Sequence, residues 1–271
     1  MNQPLRRRID NAALRLCRVQ PVNRLIQYLA YQRKRVLRRD LETRLHAAGE
    51  YGDEVQRGPF QGLKYLPVEN YASCRFEKII GAYEHEIHPW IEELAADRNY
   101  ATILNVGAAE GFYTSGLARL FPSARVLSYE STEAGRDYGR ELAKLNGVAD
   151  RVEIHATCSV PELLQAAITA PVLVMMDVDS AESRLLDPQE VPWLRKADIL
   201  VEMHECFQSG INDLIEGRFK TTHTIRKIRN AGLAYARYPA LQSLRFEEIY
   251  ALVAEDRPSL QDWFLMQPNE S

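Results

Sequence analysis

The tightest constraint on the fold lies in residues 101–113, Ala-Thr-Ile-Leu-Asn-Val-Gly-Ala-Ala-Glu-Gly-Phe-Tyr. Ile103 to Val106 is a short apolar run of the kind that forms a buried strand. Gly107, Ala108, Ala109 and Gly111 make a small-residue turn, after which Phe112, Leu117 and Leu120 recur at helical spacing. The stretch therefore predicts a strand, a tight turn and a helix. Small residues at such a turn let the backbone come close to a ligand, and the helix N-terminus offers it unpaired N–H groups. Open α/β sheets commonly hold nucleotide-like cofactors in this way. A dinucleotide fingerprint needs Gly-x-Gly-x-x-Gly. Here the spacing is Gly-x-x-x-Gly, with Ala109 in place of the middle glycine, which disfavours NAD.

From residue 101 onward the pattern alternates. Strands are expected at 102–106, 125–130, 151–156, 171–177 and 198–204, with helices between them at 112–120, 133–146, 159–168 and 181–195. Such alternation predicts a Rossmann-like, doubly wound, mostly parallel sheet. Beyond it come a helix around 209–217 and two strands, about 221–229 and 246–254.

Ahead of this region the chain divides into a basic helical arm, 1–46, and a segment of linker, hairpin and helical cap, 47–98, before the sheet domain of 99–271. Apolar residues from Leu14 to Leu41 predict one or two helices over 8–46, interrupted at Pro21. A small hairpin is expected from Val55 to Tyr65. Phe76, Ile79, Ile80, Tyr83 and Ile87 share one face of a helix within 72–97, and Pro89 starts a second helix.

Composition is that of a soluble globular chain, with 46% hydrophobic and 26% charged residues. No apolar run reaches membrane-spanning length, and no stretch of signal-peptide length follows Arg6, Arg7 and Arg8. Cys17, Cys74, Cys158 and Cys206 are scattered, which argues against a zinc site or a disulfide framework and fits a reducing cytoplasm. The net charge of −3 hides an asymmetry: residues 1–45 hold twelve basic residues against three acidic ones, a net of +9, leaving −12 on the remainder. A basic arm on an acidic body signals a partner. The expected contact is peripheral, with an anionic membrane surface or with a protein, a second subunit included. Nucleic acid is not expected.

Asn105-Val106-Gly107-Ala108-Ala109-Glu110-Gly111-Phe112-Tyr113 resembles the first motif of class I S-adenosylmethionine-dependent methyltransferases, in the form found in FkbM-type members. Met175-Met176-Asp177-Val178-Asp179-Ser180-Ala181-Glu182 resembles the FkbM-type Asp-x-Glu-Gly-x-Glu motif, with Asp177, Asp179 and Glu182 matching its acids and Ser180 replacing its glycine. Leu200-Val201-Glu202-Met203-His204 is similar to the Leu-x-Glu-x-His end of the next strand, and Gly58-Pro59-Phe60 through Pro89 looks like the N-terminal extension of such proteins. The similarity covers about residues 58–255. It implies a fold of the class I methyltransferase type, closed by an antiparallel hairpin, that passes a methyl group from S-adenosylmethionine to an acceptor. The acceptor is expected to be a hydroxyl on a sugar or glycan, a lipid or a natural product. The alternatives are a non-catalytic nucleoside-binding or scaffold protein on the same fold, and an NAD-linked enzyme.

Glu130 ends the second strand 19 positions after Gly111, where a carboxylate accepts from both ribose hydroxyls. Ser131 follows it. Thr157 and Cys158 stand where the resemblance implies an adenine contact. The expected donor site is therefore Asn105, Gly107, Ala108, Gly111, Phe112, Tyr113, Glu130, Ser131, Thr157 and Asp177. The expected catalytic set is His204 as general base with Asp177 and Glu182 shaping the methyl end. No metal is expected to be needed; magnesium on Asp177, Asp179 and His204 is the alternative. His85 and His88 are further candidates to reach the pocket.

Overall fold

The structure is a computed structural model that describes residues 19–67, 74–230, 232–253 and 259–269. The arm before residue 19, with its five arginines and Cys17, lies outside the described residues.

Seven strands form one mixed sheet: β1 (Thr102–Val106), β2 (Arg125–Tyr129), β3 (Val152–His155), β4 (Val172–Met176), β5 (Ala197–Met203), β6 (His223–Arg229) and β7 (Asp262–Pro268). Their order is β3-β2-β1-β4-β5-β7-β6, parallel through β5 and antiparallel at β7 and β6. Chain direction across the sheet therefore reverses between β1 and β4, the switch point at which such sheets open a crevice.

Side-chain alternation divides the core between the two faces. Ile103, Val126, Leu173, Met175, Leu200, Trp263 and Leu265 pack on one face. Their strand neighbours Leu104, Leu127, Val172, Val174, Met176, Val201, Phe264 and Met266 pack on the other. The first face carries α1 (Gln20–Ala47), α2 (Arg75–Ile80), α3 (His88–Asp97), α4 (Phe112–Leu120) and α5 (Glu133–Leu145). The second carries α6 (Val160–Gln165), α7 (Glu182–Leu185) and α8 (Ile211–Phe219). A further helix, α9 (Phe246–Val253), packs against α1 on the first face.

Several expectations are corrected. Residues 246–254 are not a strand; Glu248, Ala251 and Leu252 are buried at i, i+3 and i+4, the spacing of one helix face. The strand that closes the sheet is β7, and it pairs with both β5 and β6. The helix expected over 181–195 is a single turn, α7, because Pro188 cannot continue it; a 3-10 turn follows at Pro192–Lys196. Pro21 occupies the first turn of α1, where its missing N–H costs nothing; the part of the expected helix before residue 19 lies outside the described residues. The helix through 72–97 ends at Ile80, where Gly81 adopts φ +70 and caps it. The expected hairpin is one antiparallel bridge, Glu54 to Lys64.

Candidate functional site

A cavity of about 580 Å3 opens at the carboxyl ends of the strands. Each parallel strand delivers a residue to it from its C-terminal end: Gly107 after β1, Glu130 and Ser131 after β2, Thr157 and Cys158 after β3, Asp177 after β4, and Glu202 and His204 at the end of β5. Register explains the crowding of acids, since Met176 pairs with Val201 and the next pair along the two strands is Asp177 and Glu202.

Gly107 has φ +83, and a Cβ there would stand 1.6 Å from the Asp177 carbonyl oxygen. Only glycine lets the β1 turn lie against the β4 end. Glu130 Oε2 accepts the Ala109 N–H at 2.9 Å, and its Oε1 accepts the Thr132 N–H at 2.8 Å. The carboxylate is thus held fixed at the cavity wall by the turn it faces. Oε1 also accepts the Thr132 hydroxyl at 2.7 Å, so it is Oε2 that keeps a lone pair for a further donor.

His204 is the centre of the other half. Its side chain is 2% exposed and it stacks on Phe207, with ring centroids 5.8 Å apart. Nδ1 donates to Glu182 Oε1 at 2.5 Å. Nε2 faces Asp179 Oδ1 at 3.4 Å, with Asp177 Oδ1 and Glu202 Oε2 each at 3.5 Å. Burial pushes the imidazole pKa down, but the hydrogen bond to Glu182 and the charges of Asp177, Glu182 and Asp179 outweigh it, so the net shift is upward. One imidazole thus stands against four carboxylates. The ligand atoms of Asp177, Glu202 and His204 lie within 4.8 Å of one another, near enough for one cation to bridge them. A set of one imidazole and two carboxylates suits manganese, iron or zinc better than magnesium.

Non-glycine residues at positive φ concentrate at this cavity. Among the described residues they are Cys74, Glu84, Ala109, Asp179 and Ser180, and the first four line it. Strain of this kind persists where surrounding structure over-determines the backbone, and it clusters at functional sites. Ser180 has φ +95, which gives a structural reason for glycine at the corresponding place in the motif it resembles.

The expected donor residues divide by position. Gly107, Glu130, Ser131, Thr157 and Asp177 line the cavity. Asn105, Ala108, Gly111, Phe112 and Tyr113 stand behind its wall. Asn105 donates to Thr114 Oγ1 at 2.8 Å, and Phe112 packs edge-on against Phe60 and Tyr83. The Tyr113 hydroxyl donates to Glu84, which itself lines the cavity. Gly111 begins α4 with its Cα against Gly139 of α5, bringing the two helices together. Of the catalytic set, Asp177 and His204 reach the cavity, while Glu182 is fully buried behind His204. His85 and His88 do not line it; His88 Nε2 bonds to the Tyr83 carbonyl at 2.9 Å, and burial holds that imidazole down at about 4.

Sequence reasoning missed Cys74, Tyr83, Glu84 and Gln261 of the cavity wall. Each comes from a loop or short turn rather than a strand end, so no periodicity marks it. It also left Glu110 unassigned. That residue is fully buried beneath the turn, where it pairs with Lys78 and accepts from the Tyr65 hydroxyl at 2.6 Å.

No protein-family model matches the chain, and no curated protein matches it. Solved structures do resemble it. The O-methyltransferase TomG of Streptomyces achromogenes, in complex with S-adenosylmethionine, is 19% identical over 66% of this chain and 80% of its own, with a TM-score of 0.43. An O-methyltransferase of Bacillus cereus, in complex with S-adenosylhomocysteine, is 15% identical over 74% and 84%, with a TM-score of 0.42. The human methyltransferase 10 domain containing protein is 10% identical over 77% and 90%, with a TM-score of 0.48. Likeness at this level assigns no activity to the chain.

Proposed function

We propose that the chain is an S-adenosylmethionine-dependent methyltransferase that methylates a hydroxyl on a small-molecule, glycan or lipid acceptor. The observation that carries this reading is His204, anchored through Nδ1 by Glu182 with Nε2 turned into the cavity where the strand ends converge. The residues present fit the donor. Glu130 Oε2 offers an acceptor to a ribose hydroxyl, Val106, Tyr129, Val178 and Leu185 supply apolar wall, and Asp177 offers a carboxylate to an amino group. A cavity of about 580 Å3 lies in the range of such sites.

S-adenosylmethionine supplies an electrophilic methyl on a sulfonium. The protein aligns the acceptor with it and takes one proton. Neutral His204 receives the acceptor hydroxyl's proton at Nε2, and the resulting imidazolium is held by Glu182, Asp177 and Asp179. The same carboxylates, with Glu84 and Glu202, make the acceptor side acidic. A carboxylate or phosphate nucleophile is repelled there, while a neutral hydroxyl is not. The scattered cysteines support a reducing, cytoplasmic setting.

A bridging divalent cation is the second reading, favoured by the spacing of Asp177, Glu202 and His204. It would hold the acceptor oxygen and lower its pKa, leaving Glu182 to orient the histidine. The test is S-adenosylhomocysteine release with a panel of sugar, lipid and aromatic hydroxyl acceptors, set beside their carboxylate and phosphate analogues. Turnover confined to hydroxyl acceptors and unaffected by chelator supports the first reading. Loss with chelator and recovery with manganese supports the second. Turnover of the anionic analogues alone contradicts the acceptor class.

A further inference from the structure

Helix α1 is long, and the body holds only its last part. Leu41, Glu42 and Leu45 are buried, Arg38 Nε donates to the Ala251 carbonyl of α9 at 2.7 Å, and Arg44 pairs with Glu248 at 3.2 Å. Leu25, Ile26, Leu29 and Val36 are large aliphatic side chains left 56%, 41%, 55% and 60% exposed. They are not scattered. At about 100° of turn per residue they fall with the half-buried Val22 on one narrow face. That face points roughly 130° away from the one formed by Leu37, Arg38, Leu41 and Leu45. An apolar stripe on the outer side of a helix that already has a body-facing side calls for a second partner.

Charge identifies the partner. Within α1 seven Lys and Arg residues stand against Asp40 and Glu42, a net of +5. Arg38 and Arg44 turn to the body and Arg33 reaches Glu247 of α9 at 3.9 Å, whereas Arg24, Arg35 and Arg39 are exposed along the same helix as the stripe. Exposed Tyr28 and Tyr31 flank them. Aliphatic stripe, arginine flank and tyrosine border are the components of a helix that lies in the plane of an anionic bilayer. A second copy of the chain would bring two such basic helices together, at a cost in repulsion that a lipid surface does not impose. The body, at −12 outside residues 1–45, would be repelled from that surface, so the arm would bind while the body stands away from it.

We propose that the outer face of α1, Val22, Leu25, Ile26, Leu29 and Val36 with its flanking arginines, docks the protein on anionic lipid surfaces. The experiment is co-sedimentation of the full chain with vesicles of phosphatidylcholine alone and with one quarter phosphatidylglycerol, with light scattering to report mass in solution. The protein is expected to pellet with the anionic vesicles and to stay in the supernatant with the neutral ones, and its binding to weaken as salt rises. Leu25→Glu with Leu29→Glu lowers partitioning at least tenfold while thermal unfolding is unchanged, because both side chains are exposed. Changing Arg24, Arg35 and Arg39 together to Gln does the same through charge alone. The proposal is overturned if the parent ignores anionic vesicles, if either variant binds them as well as the parent, or if the Leu25 and Leu29 changes act only by converting a dimer to a monomer.

Discussion

Two polar clusters flank the β1 turn, and they are built on opposite principles. Beneath the turn, Glu110 meets Lys78 and the Tyr65 hydroxyl, and the Lys78 ammonium lies 4.5 Å from the centre of the Tyr83 ring. Charge is paired there, the Lys78 cation on the Glu110 carboxylate. Above the turn, the single imidazole of His204 meets Asp177, Asp179, Glu182 and Glu202. Negative charge is in excess, and the cluster opens into the cavity instead of the core. A closed, paired cluster fixes structure; an open, unbalanced one is poised to take a proton, an amine or a cation. The comparison separates a cluster that supports the turn from one that acts.

Changes on either side break the comparison in different currencies. The largest effect is expected at His204, where His204→Gln lowers turnover by about 10²- to 10⁴-fold, the usual worth of a positioned general base. Affinity for S-adenosylhomocysteine, read by calorimetry, changes little. On the closed side, Lys78→Met leaves Glu110 buried without its cation and costs about 3–5 kcal/mol in denaturant unfolding. Pairing it with Glu110→Leu recovers most of that loss, since nothing charged is then left buried.

A subtler change is expected for Glu182→Gln. Burial lowers the His204 pKa, and the Glu182 hydrogen bond is the first of the influences that raise it. Removing that carboxylate's charge moves the pKa down. Turnover needs the neutral imidazole, so the acid limb of the pH–rate profile shifts to lower pH. Stability follows the linked sign. A raised histidine pKa contributes fully below the unfolded value of about 6.5 and is lost as pH climbs through the folded value. The variant flattens that alkaline decline in unfolding experiments. The smallest effect is at Ser180, where Ser180→Gly relieves a positive φ and raises stability by about 1 kcal/mol.

The strand ends were legible because periodicity marks strands. Thr102–Val106 and Phe112–Leu120 stand where their patterns put them, and with them Gly107, Glu130, Asp177 and His204 at the ends of four strands. The C-terminal region was not legible. Phe246 to Val253 is apolar enough to pass for a strand, and only its packing against α1 reveals the helical face of Ala251 and Leu252. Misplacing that element hid β7, and with it Gln261 of the cavity wall. Glu84 and Cys74 are set by left-handed backbone in loops, which depends on packing and leaves no local pattern. Glu110 was silent for a related reason: its partner Lys78 is 32 positions away and meets it only in the folded chain.

We propose that the cavity holds S-adenosylmethionine with Glu130 on its ribose. Calorimetric titration of the full chain with S-adenosylmethionine, S-adenosylhomocysteine and NAD, beside the Glu130→Ala variant, tests it most directly. The account predicts micromolar binding of the first two, none of NAD, and at least tenfold weaker binding in the variant, about 1.4 kcal/mol. Binding of NAD alone, or donor binding indifferent to Glu130→Ala, would contradict it.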